Sequence, residues 1–198
     1  MNKPECKIDT YGTKCWYLND KLHREDINPE TGLTLPAVEC ANGTKYWYSN
    51  GKWHRKDGPA IEFADGAKYW YLNDKLHRKD GPAIEYANGN KWWYLNGIFH
   101  RKDGPAVEFA DGGKFWYLNG KLHREDINPE TGLTMPTVEH ADGNKAWYLN
   151  DKRHREDGPA IEFADGETRY YINGNHIPQL DNKHIYGKER LEKLLLLK

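Results

Sequence analysis

The sequence predicts an all-β fold: an elongated, single-layer antiparallel meander of short hairpin repeats, ending in a short C-terminal α-helix. Three observations carry that expectation. A unit of 23 residues recurs about seven times along the chain. Each copy holds two different turn signals, spaced for strands of only a few residues. The composition is poor in aliphatic side chains and rich in aromatic ones, with 37% hydrophobic residues, 13% aromatic, 8 Trp, 13 Tyr and 19 Gly. Such a mixture suits thin β-structure that buries large flat rings rather than a thick aliphatic core.

The repeat is read from its tyrosines: Tyr17, Tyr48, Tyr71, Tyr94, Tyr117, Tyr148 and Tyr171, at gaps of 31, 23, 23, 23, 31 and 23. An Asn follows each Tyr by two positions, and in the first six units a His-Arg pair begins six positions after it, from His23-Arg24 to His154-Arg155. Asp-Gly-Pro-Ala then follows at 57–60, 80–83, 103–106 and 157–160. The longer gaps are explained by a stretch that occurs twice, letter for letter, at 21–34 and 121–134. Within it, "INPETGLT" at 27–34 and 127–134 is an eight-residue insert in the ordinary corner. A four-unit module of 100 residues has been duplicated, and the second copy stops short.

One unit, residues 59–81, shows how the strands arise. Asn73-Asp74 lies between "YWYL" and "KLHR" and predicts a two-residue turn in which both residues need φ > 0. Ala64-Asp65-Gly66 predicts a three-residue loop closed by Gly66 in the left-handed region. That register sets Glu62 opposite Lys68, read as a cross-strand ion pair that recurs at Glu39/Lys45, Glu85/Lys91, Glu108/Lys114 and Glu139/Lys145. Strand alternation gathers Ile61, Phe63, Tyr69, Tyr71 and Leu76 on one face, which is the expected main core. Glu62, Lys68, Trp70, Leu72, Lys75 and His77 fall on the other. The array is expected over 1–178, and residues 179–198 form a linker and a capping or docking helix. In that helix Leu191, Leu194 and Leu195 share a stripe, with the small side chain of Ala146 as the expected seat.

The string "WYLNGKLHR", followed by "FADG" or "YANG" before the next aromatic pair, resembles the MORN repeat, also 23 residues long with an aromatic hairpin and a Tyr-Ala-Asp-Gly turn. The likeness covers roughly residues 9–177. It departs where "HRxDGPA" replaces the family's His-Gly-x-Gly and where the two turns are spaced two residues differently. Repeats with this variant corner look like those of uncharacterised phage and large-DNA-virus proteins. The resemblance implies a hairpin sheet used for docking and implies no chemistry.

Composition excludes several function classes. Net charge is −1, and every Arg-Lys pair has an acid beside it, so no basic field points to nucleic acid. No window is apolar enough to span a membrane, and the first residues do not read as a secretory signal. Cys6, Cys15 and Cys40 lack metal spacing and read as free thiols in a cytoplasmic protein, host cytoplasm if the gene is viral. Histidines one repeat apart would stand on the order of 10 Å from each other, too far to share a metal. No unit is singled out for acid–base work, so the reading assigns no catalytic residue, no metal and no cofactor.

What remains is non-catalytic protein–protein interaction. Through the resemblance, a concrete version is a phage protein that sequesters or inhibits a host defence component. The alternatives are a glycan- or choline-binding aromatic repeat and an unrecognised enzyme. The candidate partner contacts are Asn28, Glu30 and Thr31 with Asn128, Glu130 and Thr131, on inserts ordered by Pro29, Gly32, Pro129 and Gly132. The Leu191/Leu194/Leu195 helix is the candidate route to a homo-oligomer. Replacing either insert with plain Gly-Pro is expected to leave folding intact.

Overall fold

A computed structural model of the chain describes residues 3–196; the side chains of residues 190 and 193–195 lie outside the described residues. Leu194 and Leu195 of the expected stripe are therefore not described. The chain forms two compact units, Met1–Ile98 and Phe99–Lys198, a division close to the 100-residue duplication.

Each unit is an antiparallel meander in which neighbours in the sheet are neighbours in sequence. In the first the order is Glu5–Ile8, Lys14–Leu18, Val38–Glu39, Lys45–Tyr46, Ile61–Glu62, Lys68–Tyr69, Ile84–Glu85 and Lys91–Trp92. In the second it is Val107–Glu108, Lys114–Phe115, Val138–Glu139, Lys145–Ala146, Ile161–Glu162 and Thr168–Arg169. Both turn types form as the sequence predicts. Asn73 and Asp74 sit at φ +52° and +62°, and the ribbon they close pairs Tyr71 with Leu76. Gly66, at φ +95°, closes the three-residue loop and donates to the Phe63 carbonyl at 3.0 Å. Only Gly takes that conformation without strain.

The expected antiparallel meander forms, but from the second repeat onward the second hairpin leaves its ladder. Tyr71–Leu72 and Lys75–Leu76 make a separate two-stranded ribbon, as do their counterparts in every repeat but the first, where Lys21–Leu22 pairs with Lys14–Leu18 inside the main sheet. The break falls at Trp70. Its N–H donates to Ala83 of the next repeat at 2.8 Å, while its carbonyl accepts from His77 of its own corner at 3.0 Å. Trp47 and Trp147 repeat both bonds with Ala60/His54 and Ala160/His154.

Glu62 does face Lys68, as Glu39 faces Lys45 and Glu139 faces Lys145. The expected ion pair is nevertheless replaced. Glu62 binds Arg55 at 3.2 Å, and Glu85 and Glu108 bind Arg78 and Arg101 at 2.8 Å. The planar guanidinium fork fits a carboxylate better than an exposed ammonium does.

The expected core face also needs correction. Phe63, Tyr69, Tyr71 and Leu76 are only half-buried. Rings there meet edge-on in a ladder, with Tyr46–Phe63 at 6.3 Å, Phe63–Tyr69 at 5.1 Å and Tyr69–Tyr86 at 5.7 Å between centroids. Of the expected face Ile61 is buried, and the buried side chains that recur are the consecutive pair that begins each sheet hairpin: Ala60 and Ile61, Ala83 and Ile84, Ala106 and Val107, Ala160 and Ile161.

Of the expected stripe, the described Leu191 packs on Tyr170 rather than on Ala146. The C-terminal segment folds over Tyr170, which stands where the other repeats have Trp. Tyr170, Leu180, Ile185 and Leu191 form a closed apolar cluster, with Ile177 against it. The buried Tyr170 hydroxyl donates to the Ile185 carbonyl at 3.1 Å and accepts its N–H at 2.7 Å. Along the last sheet strand, Thr168 N–H donates to Asn182 Oδ1 at 2.8 Å and Tyr170 N–H donates to Asp181 Oδ1 at 3.2 Å. Open edge groups are thereby satisfied by the tail. The helix Lys188–Leu196 follows, with Leu191 buried and Leu196 exposed.

Candidate interaction site

The repeating polar residues assemble around one arginine per corner. Arg55 lies over the Trp47 ring at 4.0 Å. Its Nε donates to Asp57 Oδ1 at 2.7 Å, and its Nη1 donates to the Pro59 carbonyl and to Glu62 Oε1, each at 3.2 Å. Arg24, Arg78, Arg124 and Arg155 lie 3.9–4.0 Å over Trp16, Trp70, Trp116 and Trp147 in the same way. Gly58 completes the corner for a steric reason, because a Cβ there would stand 2.8 Å from the Arg55 guanidinium carbon. Gly81, Gly104 and Gly158 stand 2.9 Å from theirs. The spelling Arg-x-Asp-Gly-Pro-Ala-x-Glu is thus a set of positions around one cation, held by stacking and charge-assisted hydrogen bonds.

The histidines join successive repeats. His23 Nδ1 accepts from the N–H of Asn50, and His77 from that of Asn96, at 3.0 and 3.2 Å. In the second unit His100 and His154 serve Asn119 and Asn173 at 3.2 and 3.1 Å. Each of these four histidines therefore satisfies the first residue of the next repeat's tight turn. Among the described residues, no group of three or more His, Cys, Asp or Glu converges to hold a metal ion. Cys6, Cys15 and Cys40 are free thiols, and burial pushes the Cys15 and Cys40 thiols above their usual pKa.

The inserts have a root and a tip. At the root, Thr34 reaches the following corner, its N–H donating to Asp57 Oδ2 at 2.7 Å and its hydroxyl to Oδ1 at 2.8 Å. Its carbonyl accepts from the Trp47 indole at 2.8 Å. Thr134 makes the same bonds to Asp157, at 2.5 and 2.9 Å, and to Trp147 at 2.9 Å. The corners so covered are the tightest: the Arg55 and Arg155 side chains are 4% and 3% exposed, against 23% for Arg78. Burial pushes the Asp57 carboxyl up, but hydrogen bonds from Thr34 and Arg55 outweigh it and hold its pKa below the ordinary carboxylate range.

At the tip, Asn28 Oδ1 accepts from the N–H of Glu30 at 2.8 Å and of Thr31 at 3.2 Å, and Asn128 repeats this for Glu130 and Thr131. Gly32 and Gly132 take φ +69°. Both inserts are ordered turns, bridged by Ile27–Thr34 and Ile127–Thr134. Asn28 and Asn128 are therefore turn-forming residues. Glu30, Thr31, Glu130 and Thr131 are exposed, together with Ile27, Leu33 and Ile127, which sequence reasoning passed over. Alternation along the insert, with Thr34 turned inward, is the signal that could have found them. Beside each root lies a shallow cleft: about 330 Å³ bordered by Arg24, Thr34, Trp47 and His54, and about 300 Å³ bordered by Arg124, Thr134, Trp147 and His154.

Compared with known proteins, the chain matches no family model and no curated sequence.

Proposed function

We propose that the chain is a non-catalytic protein-interaction module in which the repeats supply a stiff scaffold and the insert tips supply specificity. One observation carries this reading. The recurring Arg, Asp, Glu and His side chains are engaged with one another and with the backbone, whereas the tips leave Ile27, Leu33 and Ile127 at 53%, 41% and 53% exposed. Apolar side chains on ordered loops, beside the acids Glu30 and Glu130, have the chemistry of a protein contact. A glycan-stacking role is disfavoured because guanidinium groups lie over one face of the Trp rings, 3.9–4.0 Å away. The likeness to MORN-type docking arrays favours the same direction, and its phage-like corner makes a sequestered host protein the more specific version.

The test is affinity capture with quantitative mass spectrometry from the cells in which the gene acts, using the full chain and an Ile27→Ser/Ile127→Ser variant. The variant should melt like the parent and lose the captured protein. A protein retained equally by both would remove the tips from the account.

A further inference from the structure

The C-terminal tail indicates what another part of the chain can bind. In the second unit, residues 185–191 lie against the corner Arg155–Gly158. Gly187 N–H donates to the Asp157 carbonyl at 2.7 Å, Lys188 Nζ binds Glu156 at 2.7 Å, and Arg155 stands 5.8 Å from the Tyr186 ring centre. Ile185 and Leu191 close on Tyr170. The Lys188 contact holds the Glu156 carboxyl below its usual pKa. Here Gly158 and Pro159 are buried, whereas Gly58 and Pro59 of the second repeat are half-exposed.

The second repeat has a cleft with the same first wall. About 510 Å³ in volume, it is bordered by Arg55, Lys56, Asp57 and Gly58, with Trp70 and Leu72 beneath. Trp70 and Leu72 stand where the tail site has Tyr170 and Ile172. The two sites differ in charge at one wall position: Lys56 occupies the place of Glu156. The far wall adds His77, Lys79 and Arg78, which stacks on Trp70 and pairs with Asp80, so the unpaired charges of the rim are the basic Lys56 and Lys79 where the tail site has Glu156.

We propose that the cleft between the second and third repeats binds an extended, acid-bearing peptide segment of a protein partner, in the manner of the tail on the sixth repeat. The fitting sequence is an aliphatic residue, an aromatic residue, a glycine and an acid. The aliphatic and aromatic side chains lie against Leu72 and beside Arg55. The N–H of the glycine meets the Asp57 carbonyl, and the acid meets Lys56. This site rests on the protein-binding reading but not on the insert tips, so Lys56 and Ile27 variants report on separate claims.

The probes are two fluorescein-labelled peptides, residues 182–189 of this chain and the same peptide with Lys188→Glu, titrated by anisotropy into the full chain and into its Lys56→Glu variant. Lys56 is exposed, so the variant should fold. The parent should prefer the Glu peptide by about fivefold, the upper range of an exposed ion pair, and Lys56→Glu should reverse that preference. No binding of either peptide, an unchanged preference in the variant, or equal binding of a scrambled Glu peptide would each overturn the proposal. The last result would mean that charge alone suffices.

Discussion

Arg55 draws on Trp47, Asp57, Gly58, Pro59 and Glu62, so one guanidinium explains why those residue types recur together. The sequence displayed the spelling but concealed its centre. Alternation placed Glu62 opposite Lys68 correctly, yet gave no sign that an arginine seven residues earlier would reach the same carboxylate. Asp57 supplies a test at this scale. Because its folded pKa is lowered, the folded chain keeps the carboxylate where the unfolded chain, with an ordinary Asp pKa of about 3.9, already takes up a proton. Its stabilisation is therefore present above that value and is lost as pH falls through the folded pKa. Asp57→Asn should melt lower than the parent at neutral pH and show a smaller further loss on acidification to about pH 3. Parallel acid limbs for the two proteins would refute the assignment.

At the scale of elements, each insert has a tip ordered by its own residues and a root that reaches the next repeat. Length, Pro29 and Gly32 made an ordered turn legible, because those residues act on their own backbone. The root was illegible because Thr34 meets Asp57 and the Trp47 indole, partners in the next repeat. Replacing 27–34 by Gly-Pro removes three hydrogen bonds and uncovers a buried ion pair, so it should cost about 1–3 kcal/mol. Differential scanning calorimetry should show this as a lower melting temperature, and an unchanged one would return the insert to a purely external role. The tail reads as a capping or docking element in the sequence, and its described residues cover the last strand at Tyr170. A Trp-to-Tyr change at one repeat position was the visible clue; its hydroxyl partners lie in a segment without periodicity. Tyr170→Phe leaves the Ile185 N–H and carbonyl without their buried partner and should cost about 1–3 kcal/mol. A denaturant midpoint equal to the parent's would count against the cap.

Across the whole molecule, period, turn chemistry and strand order followed from the sequence because each is local and repeated in every copy. The 23-residue unit fixed where strands begin, and the Asn-Gly and Asn-Asp pairs fixed how they reverse. The division of the second to seventh repeats into a sheet hairpin and a separate ribbon did not follow, since period and turn chemistry do not say where a ladder breaks. The account's central claim is that the repeated polar residues are committed to the scaffold. Arg78 tests it most directly, because its corner has no insert and its side chain is 23% exposed. Lysine keeps the charge there but loses the planar stack on Trp70 and the fork shared by Asp80 and Glu85. The deciding measurement is the thermal melt of Arg78→Lys beside the parent. A fall of several degrees is predicted, corresponding to about 1–3 kcal/mol; a melt superimposable on the parent's would mean that the arginine ladder is free for another purpose.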